Sequence, residues 1–544
     1  MKHQLFSLCA LMLSLLMASP TANGQNIKQY GGKSKVSYLL MKGGTVWSTG
    51  SNVFFGLGQG IEEESVNVYG YKRLELPKGF KAERIYRGYS FVFLVSKEGK
   101  YVFFGNTFEG ESGMNELDRN GYLSPEYVDF GTHKWKYMKG GYLTILAIDE
   151  DDSLWGWGSN ARWQLGNGDP AHQNKFAPSE LDTSGDWAAL APSMWQTLAL
   201  KKDGTLWGWG DNGLSQLGLG EGADGVYTTP IQIGTDNDWQ SIDISFHHAL
   251  AIKKDGSLWG WGNNNKHQIS ASGDNPVKSP TCIDKNKKWL VASAGLEHSI
   301  AIAEDGTMWG LGSNETGQLA MPQSVTGVTA LTQIGTASDW VSVICGERYT
   351  MAQNKKGEVY VFGSNKKGPL GLPKSVENSY EMVKIEIPSK KVSIKVLGEG
   401  KGSIGITDED VDLNSVTDGT ILEFVPAPGA NSKLTALKAN GVDILEEKSF
   451  IITEDTEIEA TFDIANATEE IDMQAFCVYP NPAHHLVQLR GIVANSYVVL
   501  YDLSGKMVLK SFAEGSDMQL DLSTLAKGQY IVENCDRTTT ITVE

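Results

Sequence analysis

An all-β fold is predicted for this 544-residue chain: a seven-bladed β-propeller followed by two small C-terminal β modules. Three observations predict it. One phrase recurs seven times over residues 27–388, each copy has a glycine turn between two apolar alternations, and the spacing is nearly constant. The turn glycine, or the residue in its place, falls at 44, 99, 152, 204, 256, 306 and 357, at intervals of 55, 53, 52, 52, 50 and 51. Periods of this length mark arrays of stacked supersecondary units.

Each copy can be read from its backbone. In the fourth, Asp203-Gly204 stands between Thr197-Leu198-Ala199-Leu200 and Thr205-Leu206-Trp207-Gly208-Trp209. An Asp-Gly pair in that setting is a strong hairpin signal, because the tight turn needs positive φ. A stretch opening on Phe80, Trp135, Trp187, Trp239, Trp289 or Trp340 reads as a first strand in six copies, and a segment such as Thr229-Pro230-Ile231-Gln232-Ile233 reads as a fourth. Four short strands cannot bury both faces alone, so the units must stack. Seven sheets arranged radially close a propeller and leave no long exposed edge.

The phrase Asp-Gly-x-Leu-Trp-Gly-Trp-Gly-x-Asn, followed by Ser215-Gln216-Leu217-Gly218 or Gly317-Gln318-Leu319, resembles the repeat of the regulator-of-chromosome-condensation family of seven-bladed propellers. The copies at Gly44–Asn52, Gly99–Thr107 and Gly357–Asn365 depart from it, with β-compatible residues. Members of that family range from nucleotide-exchange factors to secreted inhibitors of β-lactamase. The resemblance therefore implies binding and nothing narrower.

Residues 1–24 read as a secretory signal: a basic start, the apolar run Leu5–Ala18 and small residues before Gln25. No later stretch is long and apolar enough to span a bilayer. The signal excludes a nuclear role and predicts a protein secreted or held at the outer-membrane surface, reached through the periplasm. Net charge is −18, but residues 391–544 hold 11 Lys or Arg against 25 Asp or Glu, so residues 1–390 carry only −4. A nearly neutral ring argues against nucleic acid as a partner. Cys9 leaves with the signal, and Cys282 and Cys345 read as independent, at least half-buried thiols. Cys477 and Cys535 lie near the ends of the last module, where an oxidising compartment allows either a bridge or two thiols.

The ring is assigned to residues 25–388. Beyond it the tryptophans stop, and residues 391–464 alternate as strands at Val392–Val396, Ile421–Val425 and Glu457–Phe462, a small β-domain with one solvated face. Its opening Val-x-Ile-x-Val, its Asp418-Gly419-Thr420 turn and its closing strand resemble an internalin-type B-repeat. The acidic run Asp408–Asp412 lacks the fixed spacing of a calcium loop and reads as a solvated turn. Residues 465–474 read as a linker and 475–544 as a β-sandwich, with a rigid Pro480/Pro482 entry and turns at Gly505 and Gly528. The phrases at Tyr479-Pro480-Asn481-Pro482, at Gly505, and at Gly528 with Tyr530 resemble the type A sorting domain of the Bacteroidetes type IX secretion system. That resemblance implies a partner in the outer-membrane secretion machinery.

No G-x-S-x-G elbow, H-E-x-x-H, phosphate loop or dinucleotide fingerprint is present, so no catalytic residue, metal or cofactor is expected. His248 and His298 fall at one repeat position, with Ser90, Thr144, Thr197 and Thr350 taken as their equivalents; a site shared by His, Ser and Thr reads as a backbone-satisfying position near the axis. Recurring acids such as Asp203, Asp255 and Asp305 are turn residues. Trp155, Trp157, Trp207, Trp209, Trp259, Trp261 and Trp309 read as blade packing. Residues that break the repeat are the ones open to function: Tyr89, Tyr142, Trp195, Phe246, Glu297, Arg348 and Tyr349, at the tight connection between first and second strands. They either pack against neighbouring blades or form a contact surface for a protein or glycan. The expected protein is a binding ring without chemistry, against two rivals: a polysaccharide lyase or hydrolase using carboxylates from different blades, and an architectural surface protein.

Overall fold

The computed structural model describes residues 27–115, 121–270, 275–407, 411–429, 431–464, 477–479, 486–490, 492–493, 496–503, 506–515, 517–534 and 537–543. The signal, the linker, Pro480, Asn481, Pro482, Gly505, Asp408–Asp410 and Cys535 lie outside them. Over residues 27–384 the chain forms seven four-stranded antiparallel sheets, each pairing its strands in chain order. The first blade runs Ile27–Gly32, Val36–Met41, Val46–Ser51 and Asn67–Arg73. The first strands of the seven sheets touch one another in succession, and that of blade 7, Trp340–Cys345, meets that of blade 1. These strands line the axis, and the circle is closed.

Closure is polar as well as apolar. The Tyr30 hydroxyl and the Ser342 Oγ share a hydrogen bond at 2.7 Å, Tyr349 Oη donates to Val36 O at 3.0 Å, and Thr49 Oγ1 donates to Gly368 O at 3.0 Å. Around them Ile27, Leu39, Met41, Trp47, Met351, Val361 and Leu370 form one buried cluster shared by the two blades.

The repeated phrase is explained by what stitches each blade to the one before it. Trp209 Nε1 donates to Gln164 O at 2.9 Å, Trp261 Nε1 to Gln216 O at 3.0 Å and Trp157 Nε1 to Glu111 O at 3.0 Å. Hydroxyls at the start of second strands reach the same carbonyls, Thr197 to Gln164 at 3.0 Å and Thr350 to Gln318 at 2.9 Å. The repeat asparagine clamps the loop between, its Oδ1 accepting from the amide five residues on in Asn160, Asn212, Asn264, Asn314 and Asn365. One local design therefore satisfies these buried polar groups in five of the blades through the asparagine clamp.

Five of the first strands open on the expected tryptophan, from Trp135 to Trp340. Blade 2 differs: its first strand is Arg84–Arg87, and Phe80 lies upstream of it, buried in the core. A register shift follows the opening tryptophan in blades 3 to 7, as between Trp239 and Ser241. Such a bulge lets the tryptophan turn into the core while the next residues realign. Blade 2 pairs its first two strands without one.

Two compact units are distinguished, one holding the ring with residues 404–425 and 437–459, the other holding residues 396–403, 426–436 and 460–544. Beyond the ring, Thr420–Pro428 pairs with Ser449–Ile452 in a three-stranded sheet. In the second unit, Leu486–Arg490 lies between Cys477–Tyr479 and Asp517–Asp521, while Met507–Ala513, Ser496–Asp502, Gly528–Asn534 and Arg537–Val543 make a four-stranded sheet. Val487, Leu489, Val498, Leu500, Leu520, Val532 and Ile541 fill its core, and Tyr530 Oη donates to Ala526 O at 2.7 Å. Cys345 is buried, but Cys282 is exposed, because it sits on an outer fourth strand; the half-buried setting expected for it is corrected.

Candidate interaction face

The third strand of each blade has a glycine as its last or penultimate residue, and that glycine sets the height of the connection above it. Gly210 has φ +90, and a Cβ there would stand 2.3 Å from the Trp195 carbonyl; at Gly262, with φ +95, it would stand 2.4 Å from that of His247. Only glycine permits that approach. The connection between first and second strands is thereby pinned in the same way round the ring.

Neighbouring connections bond to one another. Tyr89 N donates to Gly141 O and Tyr142 N to Ser193 O, both at 2.9 Å, and Leu296 N donates to Glu347 O at 3.0 Å. Gln196 Nε2 donates to Phe246 O at 2.9 Å. Side chains then converge. The ring of Tyr89 lies 4.4 Å from that of Tyr142 and 6.1 Å, edge-on, from that of Phe246. Its hydroxyl donates to Glu347 Oε1 at 2.9 Å, so residues of blades 2, 3, 5 and 7 meet. Burial and the Glu347 carboxylate both push the Tyr89 and Tyr142 hydroxyls above their usual range, which keeps them protonated donors.

Around this group, Arg348 Nη2 stands 3.2 Å from Glu297 Oε2, with the arginine side chain 41% exposed. The Arg162 guanidinium lies 5.5 Å from the centre of the Trp195 ring, which is 37% exposed. Between blades 1 and 2 a cavity of about 50 Å³ is lined by Ser34, Lys35, Val36, Ser51, Val53, Tyr89 and Ser90. The structure thus brings Tyr89, Tyr142 and Phe246 together and sets Glu297 beside Arg348; Trp195 stands on its own connection with Arg162.

Tyr349 is different. It is buried at the head of its strand, with Oη on Val36 O, and belongs to the closure of blades 7 and 1 rather than to a contact surface. Its place in the register also corrects the expected histidine equivalences. His248, His298 and Tyr349 pair with Gly262, Gly312 and Gly363; their counterparts are Val36, Phe91, Thr144 and Gln196. Ser90, Thr197 and Thr350 stand one residue away. Nor do the histidines bond to backbone: His248 Nε2 meets Ser299 Oγ at 2.9 Å and His298 Nε2 meets Thr350 Oγ1 at 3.1 Å, each on the next blade.

Glu347, Lys35 and Arg162 join this face without having been singled out in the sequence. Glu347 is an acid beside Arg348 in Gly346-Glu347-Arg348-Tyr349, and nothing in that phrase alone marks it as the partner of Tyr89. Among the described residues no cluster of three or more His, Cys, Asp or Glu is placed to hold a metal ion. Glu111 has its carboxyl pushed up to about 7, chiefly by burial, yet it stands where Gln164 stands in blade 3 and accepts from Glu109 N at 2.9 Å as Gln164 accepts from Arg162 N at 2.8 Å. That geometry accounts for it as a loop clamp.

These features define a seven-bladed propeller that carries a separate C-terminal β module. Models of the regulator of chromosome condensation (RCC1) repeat match residues 203–252, 255–302 and, overlapping them, 239–268; the model of the secretion system C-terminal sorting domain matches residues 477–544. RCC1 repeats are thus found within residues 203–302 of the ring, and a sorting domain over residues 477–544. It is 24% identical to the Ultraviolet-B receptor UVR8 of Arabidopsis thaliana over 62% of this chain and 65% of the relative, and 25% identical to Protein RCC1 of Candida albicans over 43% and 54%. The chain thus spans less than two thirds of either relative's length. Among solved structures it is similar to human WBSCR16 (TM-score 0.56, 19% identity, covering 63% of this chain and 95% of that one) and to Prp20p of Saccharomyces cerevisiae (TM-score 0.52, 22% identity, covering 60% and 82%).

Proposed function

We propose that this protein is exported by a type IX secretion system and binds a protein partner through the face that carries Tyr89, Tyr142, Trp195, Phe246, Glu297 and Arg348, without catalysing a reaction. The observation that supports the proposal is that Tyr89, Tyr142 and Phe246 meet from three separate blades, while the Glu297–Arg348 ion pair and a half-exposed Trp195 lie on other connections of the same kind. Aromatic and arginine side chains give large contact area at low ordering cost and dominate binding energy. The crystal structure of Kap60 bound to yeast RCC1 (Prp20), a propeller of similar fold, supports a protein as the class of partner. A glycan partner is the outcome that would revise this reading, and so is hydrolysis of a polysaccharide.

Two experiments test the halves separately. Deleting residues 477–544 in the producing cell is expected to trap the ring inside the envelope; undiminished delivery to the surface or medium would overturn the export role. The W195A/F246A/R348A variant is expected to lose capture of the partner at least tenfold while its far-ultraviolet circular dichroism and melting stay close to those of the parent. Undiminished capture would reject this face.

A further inference from the structure

Inside the ring, first strands and their connections carry charge toward the axis. Lys33, on the first connection of blade 1, donates from Nζ to Pro192 O of blade 4 at 2.7 Å and lies 3.3 Å from Gly140 O of blade 3. It therefore reaches across the circle. Arg87 ends the first strand of blade 2 and lays its guanidinium against the backbone of Gly31, where any side chain on that glycine would collide with it. Lys139 lies on the first strand of blade 3. All three are half-buried.

Asp243 on the first strand of blade 5 acts on Lys33 and Arg87 only through its charge, and one of its oxygens is already bonded. Asp243 Oδ2 accepts from Ser293 Oγ at 3.0 Å and from Ala294 N at 2.9 Å. Among the described residues the Arg87 guanidinium and the Lys139 ammonium form no side-chain hydrogen bond or ion pair. Lys33 uses two of its three N–H groups on carbonyls, leaving the third. Burial, and after it repulsion from Lys139, push the Lys33 ammonium down to about 7, with Arg87 adding to the repulsion and Asp243 opposing it. Burial lowers Arg87 as well. Enclosed charge that lacks a partner is costly, and guanidinium and ammonium groups are the donors that an oxyanion takes.

We propose that the axis of the ring is an anion site in which Lys33, Arg87 and Lys139 hold a small oxyanion of the phosphate type, bridging blades 1, 2 and 3. The rings of Tyr89, Tyr142 and Phe246 converge on the connections that follow these strands, so a small ion rather than a bulky phosphorylated group is the expected occupant. An oxyanion there adds to the bridge that Lys33 already makes to blades 3 and 4, so it stabilises the closed circle as a ligand of the native state.

The test is thermal melting of the full mature chain in inorganic phosphate against chloride at equal ionic strength. Phosphate is expected to raise Tm saturably by several degrees and chloride is not; equal shifts from the two salts would overturn the site. K139Q removes a charge that makes no side-chain hydrogen bond or ion pair among the described residues and keeps most of the side chain's length, so it keeps the fold, and it is expected to weaken phosphate binding about tenfold. R87Q is expected to do the same. Affinity within twofold of the parent in K139Q would overturn the assignment. A phosphoserine peptide is expected to leave Tm unchanged; a shift with the peptide and none with inorganic phosphate would contradict a small-ion site.

Discussion

Replacing Trp209 by alanine is expected to lower the stability of the ring by about 4 kcal/mol, the usual cost of removing a fully buried large aromatic side chain. Trp209 is wholly buried, packs edge-on against Trp187 at 5.9 Å and donates to the Gln164 carbonyl of the preceding blade. Its loss opens a cavity between blades 3 and 4 and takes one of two donors from a buried carbonyl. The other tryptophan of the same phrase separates this from a general effect. Trp207 is half-buried, donates within its own turn to Thr205 Oγ1 and lies under Lys201, 4.7 Å from the ring centre. W207A is expected to cost less than half as much. Urea unfolding followed by fluorescence reads both midpoints. Equal losses would mean that the stitch from blade to blade does not hold the ring.

Acid is expected to weaken the protein through His248 and His298 well before it protonates ordinary carboxylates. Burial pushes both imidazoles down to about 3. Ser299 Oγ donates to Gln268 O at 2.6 Å, so it accepts from His248 Nε2; Thr350 Oγ1 donates to Gln318 O at 2.9 Å and accepts from His298 Nε2 in the same way. Each Nδ1 is buried without a partner, so a second proton would have no acceptor. An unfolded histidine titrates near 6.5. Because the folded pKa lies lower, the contribution of each histidine is complete above about pH 6.5 and is lost as pH falls toward 3. At pH 5 the two together account for a loss of about 4 kcal/mol relative to pH 7. Blade 4 shows what removes this dependence: Gln196 holds the same register and bonds to the next connection. The H248Q/H298Q variant is expected to flatten the stability profile between pH 7 and 5. An unchanged acid slope would show that other groups set it.

How much of this was legible in the sequence depended on which residues a hairpin fixes. The turn glycines announced seven sheets because a tight turn dictates the pairing of the strands beside it. The same rule, counting eight residues back from each turn, leads from Gly256 and Gly306 to His248 and His298, and from Gly204 and Gly357 to Gln196 and Tyr349. Matching hydroxyl residues by kind instead led to Thr197 and Thr350, one place off, and left Tyr349 among the exposed candidates. The opening of each first strand was harder, since a bulge after the tryptophan breaks the count and blade 2 lacks both. Lys33, Arg87, Lys139 and Asp243 gave no signal as single residues. Their meaning arises only when the circle closes and brings them to one axis.

The claim on which the functional reading rests is that the partner meets the connections between first and second strands. Photo-cross-linking tests it directly, with p-benzoylphenylalanine placed at Trp195 or Phe246 on that rim, or at Ile231 on an outer fourth strand, in the producing cell. Adducts of higher mass from Trp195 and Phe246, and none from Ile231, are the predicted result. Adducts from Ile231 alone would contradict it.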